Sequence, residues 1–139
     1  MAAIRKHVTR DVVTLEAGAP IRDAARMMAD RRIGSIAVRE DGKLVGLVTE
    51  RDLVLTVLAR SGNATQPLRE AMRPGMPRIS AEATEVECAA MMRDHQTRHL
   101  LVEDRGQVVG VVSMRDIIQL MLDEKQFLIE QLHTYIEGR

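Results

Sequence analysis

The sequence predicts a mixed α/β (α+β) fold in which two β-α-β-β-α units pack as a pseudo-twofold pair, followed by a C-terminal helix. Three observations lead there. Sliding the 139-residue chain by 64 positions superposes 13–55 on 77–119 without a gap, and 13 of those 43 pairs are identical. Within each copy the apolar period changes between helical and strand spacing in the same order. Beyond the second copy, a further apolar stripe continues at helical spacing as far as Ile136.

In the first copy, Val12 to Leu15 is a short extended run. Pro20 suits the first turn of a helix, where its missing N–H would be unpaired in any case, and Ile21, Ala24, Ala25 and Met28 form a stripe that stops near Gly34. Ser35 to Val38 and Leu44 to Val48 are β-rich runs, separated by the hairpin signal Glu40-Asp41-Gly42-Lys43. Thr49 then opens a second helix, expected to run through Leu58. Ser61 to Pro67 and Arg73 to Pro77 carry the Gly, Pro and Asn of a connection, with a short helical turn at Leu68 to Met72. The second copy repeats the order: Met91-Met92 fall under Met27-Met28, Gly106 and Gly110 under Gly42 and Gly46, and Arg115-Asp116 under Arg51-Asp52. The boundaries read this way are 8–62 and 76–122 for the two units, 63–75 for the linker and 123–139 for a helical extension. A unit of about 60 residues buries too little apolar surface to be comfortable alone, so the copies are expected to pair, with clefts where equivalent loops converge. In the extension nothing breaks a helix from Asp116 to Ile136, and its stripe, including Leu128, Leu132 and Tyr135, needs a partner: either it folds back on its own pair or it meets another subunit, and because a two-unit core has little spare surface a homodimer contact is expected.

Composition excludes several classes of function. Lys plus Arg number 20 against 20 Asp plus Glu, so no net field draws the chain to nucleic acid or an anionic membrane. Phe127 and Tyr135 supply the aromatic content, too little for a base-stacking platform, and no nucleic-acid partner is expected. Apolar runs are a few residues long and Met1 to Val8 has no signal-peptide core, so a cytoplasmic protein without membrane insertion is expected. Cys88 lies on an apolar face with Ala89 and Met92 and reads as an inert core thiol. His95 and His99 have a metal-ligand spacing, yet a helix should end between them, so no metal site is expected. No constellation of nucleophile, base and orienter is visible, hence no enzyme and no catalytic cofactor.

What remains is a motif found twice, G-x-x-[T/S]-x-R-D, as Gly46 to Asp52 and Gly110 to Asp116. It sets a hydroxyl, Thr49 or Ser113, and a carboxylate, Asp52 or Asp116, at the start of a helix, whose unpaired N–H groups favour an anion. The hydroxyl can touch a phosphate, the carboxylate suits the vicinal hydroxyls of a ribose, and Arg51 or Arg115 adds charge nearby. The same residues also make ordinary helix caps, a combination worth about 1 to 2 kcal/mol. Both readings stand on the residues alone.

These residues resemble the cystathionine β-synthase (CBS) domain, a family found as tandem pairs that bind adenosine-containing ligands. The resemblance covers about 8 to 122 and rests on the element order, on the Gly-x-x-Thr/Ser-x-x-Asp ending of each unit, and on Met72-Arg-Pro74 leading into the second. It implies that Thr49 or Ser113 contacts phosphate and Asp52 or Asp116 holds a ribose, with adenine against the opening strand around Val13 or Ile79. It also implies that Ile33-Gly34-Ser35 and Thr97-Arg98-His99 line the clefts. Arg98 and His99 would grip a polyphosphate, whereas Gly34 and Ser35 leave room for a base; His99 reads equally as a surface histidine at a helix-strand junction. The Pro often seen in the family's next strand is replaced by Ala37 and Leu101. The function implied is a stand-alone regulatory module that senses AMP, ADP, ATP, S-adenosylmethionine or NADH and signals to a separate, unknown effector protein. The alternative is a structural interaction module that binds no nucleotide.

Overall fold

The computed structural model describes residues 3–8 and 12–138. Of these, 12–76 and 107–110 form one compact unit, and 3–8, 77–106 and 111–138 form the other. The architecture is mixed α/β, with two three-stranded sheets and helices following the repeat read from the sequence.

In the first unit β1 (Thr14–Glu16), α1 (Ile21–Arg31), β2 (Ser35–Glu40), β3 (Lys43–Thr49) and α2 (Glu50–Leu53) follow in order. β1 runs parallel to β2 with Thr14 opposite Ala37, and β2 is antiparallel to β3 with Ser35 opposite Thr49. The hairpin is tight because Asp41 and Gly42 both take positive φ, 52° and 75°, the two-residue turn whose twist matches the strands. Pro20 precedes α1 as its extended N-cap, and Ile21, Ala24 and Met28 face the core at helical spacing. The helix ends three residues before Gly34: the C-cap Arg32 adopts the left-handed conformation, φ 53°, and both its N–H and that of Ile33 close on the Met28 carbonyl.

Two features differ from the sequence reading. The second helix is α-helical for one turn only; from Val54 to Ala59 it widens into a π-helix. That stretch holds the β-branched Val54, Thr56 and Val57, which support the α conformation poorly. The segment read as linker is also well anchored. Leu68 is fully buried among Ile21, Met28, Ile36 and Val48, its N–H bonds the Ala19 carbonyl, and the Ile21 N–H bonds the Gln66 carbonyl.

The second copy of the repeat holds β4 (Arg78–Ser80), α3 (Glu85–Asp94), β5 (His99–Asp104), β6 (Gln107–Ser113), whose first four residues group with the first compact unit, and α4 (Met114–Glu137), with β5 central in its sheet and parallel to β4. Its core is built from Cys88, Met92, Leu100, Val102, Val112 and Ile117, all nearly free of solvent. A 3-10 turn, Ile4–His7, joins this unit: Ile4 is fully buried and its N–H bonds the Ala83 carbonyl at 2.9 Å. Arg5 beside it pairs with Glu82 and Asp104. The two carboxylates raise the guanidinium above its ordinary range. Among the described residues one charged side chain lies in the interior, Glu85, at the position where the first unit has Ile21, and its Oε2 has no hydrogen-bond partner there.

Candidate functional site: the capped strand-to-helix junctions

In both units a buried apolar strand delivers the motif to the first turn of a helix. Thr49 and Ser113 are the N-cap residues, with extended backbone. Asp52 Oδ2 accepts from the Thr49 N–H at 2.8 Å and its hydroxyl at 3.0 Å, while Thr49 Oγ1 accepts from the Asp52 N–H at 3.2 Å. Ser113 and Asp116 repeat this at 2.8, 2.8 and 3.1 Å. Each junction is therefore a reciprocal capping box, which pairs two backbone donors that would otherwise be orphaned. Only Oδ2 of each carboxylate is used. Oδ1 of Asp52 and of Asp116 makes no hydrogen bond among the described residues, and both side chains are half-buried at an accessible helix start.

The residues before β2 and β5 are drawn to the same places. The Glu50 N–H bonds the Gly34 carbonyl at 3.0 Å, and the Met114 N–H bonds the Arg98 carbonyl at 2.7 Å. Each helix start is thereby held against the residue the sequence placed at the cleft wall. In the second unit this produces an open cleft of about 400 Å³ lined by Arg98, His99, Ser113, Met114, Arg115, Ile118 and Gln119. Four of the candidate residues meet there, and Asp116 is bonded to one of them, Ser113. Ile118 and Gln119 belong to the wall although the motif does not contain them. Their signal was positional, since they follow Met114 and Arg115 by four residues, about one helical turn.

The two junctions differ in charge. Glu50 stands where the second unit has Met114, and its carboxylate lies 3.7 Å from where a Cβ on Gly34 would sit. The first junction thus sets an acid beside Gly34, Ser35 and Arg51; the second sets Arg98 beside Met114, His99 and Arg115. Val13 and Ile79 occupy different environments. Val13 is half-buried against the first core, and its carbonyl accepts from the Ala37 N–H. Ile79, whose counterpart at the 64-residue offset is Leu15, is 7% exposed and offers a ligand little surface.

Cys88 is buried, and burial, then Glu87 and Glu85, pushes its thiol up to about 11. Among the described residues no three His, Cys, Asp or Glu side chains are grouped to hold a metal, and no helix is long and apolar enough to cross a membrane.

The fold and its paired junctions define a duplicated α/β module with the same capped strand-to-helix turn in each copy. The family model of the CBS domain matches residues 4–59 and 68–123, and the chain belongs to the CBS-domain family as a tandem pair. CBS domain-containing protein YhcV of Bacillus subtilis is 31% identical over 121 residues, spanning 84% of each chain. A CBS-domain-containing protein of Agrobacterium tumefaciens superposes with a TM-score of 0.76 at 30% identity, covering 86% of this chain and 93% of that one. A CBS domain protein of Pyrobaculum aerophilum, whose structure is a complex with AMP, superposes with a TM-score of 0.72 at 26% identity over 82% of this chain and 88% of that one.

Proposed function

We propose that this CBS pair is a regulatory, non-enzymatic cytoplasmic module that binds an adenosine-containing ligand and, as a homodimer, passes its occupancy to a separate effector protein. The observation that carries the reading is the second unit's cleft, where Arg98, His99, Ser113 and Arg115 converge at a helix start beside a carboxylate oxygen that the fold leaves available. A guanidinium and the α4 N-terminus suit phosphate oxygens, and the Asp116 carboxylate suits ribose hydroxyls. The AMP complex of the Pyrobaculum protein supports the ligand class. AMP, ADP and ATP fit the charge of this cleft better than S-adenosylmethionine, whose sulfonium would face Arg98; NADH supplies the phosphates as well. Signalling requires a ligand that binds two arrangements of the module unequally, and its effect is bounded by that difference in affinity.

Calorimetric titration with adenosine, AMP, ADP, ATP, S-adenosylmethionine and NADH tests this. The reading expects saturable binding that strengthens from adenosine to its phosphates. Absence of binding by every member would leave the interaction module as the better account.

A further inference from the structure

We propose that the exposed part of α4 is a self-association helix, pairing with the same helix of a second copy of this chain through a seven-residue apolar repeat. The proposal rests on the dimeric reading above and assigns it a seam. After Leu120, the last buried residue of α4, the positions 121–122, 128–129 and 135–136 are apolar pairs seven apart, and 125 and 132 fall midway between them. Lys125 is the one charge in that series. The apolar members are 37% to 68% exposed, so this is an apolar stripe in water on a helix of 24 residues. A seven-residue period differs from the 3.6-residue turn by the amount that winding two helices together corrects, which makes it the signature of a helix seeking a helix.

The occupant follows from area and charge. Covering the stripe on two copies would bury on the order of 1,400 Å², within the range of a stable protein interface. Between 121 and 137 the acids Asp123, Glu124, Glu130 and Glu137 stand against Lys125 alone, a net charge of −3 with His133 neutral. An acidic polar face repels an anionic lipid surface, which interfacial helices meet with Lys and Arg. A second copy presents the same stripe at equal concentration and needs no partner of opposite charge. Lys125 in the seam lowers the strength of pairing and restricts its register.

Sedimentation equilibrium over a concentration series of the full chain tests the seam. The parent is expected to dimerise, Leu132→Glu to weaken the dimer at least tenfold, and Lys125→Leu to strengthen it by a similar factor. A parent that stays monomeric throughout overturns the seam and the dimeric reading together. A dimer of unchanged strength in both variants overturns the seam alone and moves the interface to the repeat units. A change of thermal stability that is independent of concentration, with no change of mass, shows that the stripe folds back on its own chain and also overturns the seam.

Discussion

The capping box and the proposed ribose contact use the same carboxylate, so a substitution that separates them is the most informative perturbation of the site. Asp116→Asn retains one carbonyl oxygen able to accept from the Ser113 N–H, as Oδ2 does at 2.8 Å, and replaces the other oxygen with a donor. The cap then loses its charge and keeps its geometry, at a cost of about 0.5 kcal/mol, or a Tm shift of only a few degrees. Asp116→Ala removes both bonds to Ser113 and forfeits about 1 to 2 kcal/mol of helix-start stability. If Oδ1 accepts from a ribose hydroxyl, the two variants lose a comparable charge-assisted hydrogen bond of about 1 to 3 kcal/mol, roughly 5- to 150-fold in affinity, and lose it equally for adenosine and AMP. Thermal unfolding without ligand and calorimetry with each ligand measure the two effects separately. The reasoning is refuted if both variants bind AMP within about twofold of the parent while Asp116→Ala still loses stability, because the carboxylate would then serve the helix alone.

Arg98→Ala should weaken AMP and ATP roughly two- to fivefold at low salt and adenosine hardly at all, and the difference should shrink as salt screens an exposed side chain; equal, salt-independent losses would assign Arg98 to packing. Glu85→Ile, which restores the residue type of Ile21, should stabilise the fold by about 1 kcal/mol, since removing a buried carboxylate whose Oε2 has no partner among the described residues outweighs the lost favourable charge at the α3 N-terminus. A lower urea midpoint for this variant would contradict that balance. Because the folded Cys88 thiol titrates near 11 and an unfolded thiol near about 8.5, the unfolded chain sheds this proton first. The corresponding stability is intact below about pH 8.5 and declines as pH rises toward 11. Cys88→Ala should flatten that alkaline decline in chemical denaturation, and an unchanged slope would mean that other groups cause it.

Much of this molecule is legible in the sequence because its information is periodic. The 64-residue offset located both copies, and the apolar spacing located the strands and α-helices within a few residues, the end of α2 and the 3-10 turn at Ile4–His7 excepted. The hairpin at Asp41-Gly42 was plain from residue type, whereas its equivalent at Arg105-Gly106 puts an arginine at φ 53°, which only the repeat suggests. Features carried by a single residue left no pattern. Ile4 is one apolar side chain beside Arg5 and Lys6, and its burial depends on contacts with a segment about 80 positions away. Leu68 is likewise an isolated core residue in a Pro- and Gly-bearing connection. The widening of α2 into a π-helix is a choice between two hydrogen-bond ladders that side-chain periodicity cannot register. At the site, the residue types were readable from the repeated motif, and pairing of the hairpin brings the residues before β5 beside those that end β6, but the wall added by Ile118 and Gln119 needed the coordinates.

Hydrogen exchange of the amides with and without saturating AMP tests the central claim most directly, because it reports where the ligand sits as well as whether it binds. The account predicts slowed exchange concentrated at 97–99 and 113–119, with weaker change at 33–35 and 49–53. Calorimetric saturation by AMP without protection at 97–99 and 113–119 would contradict it and place the ligand elsewhere on the chain.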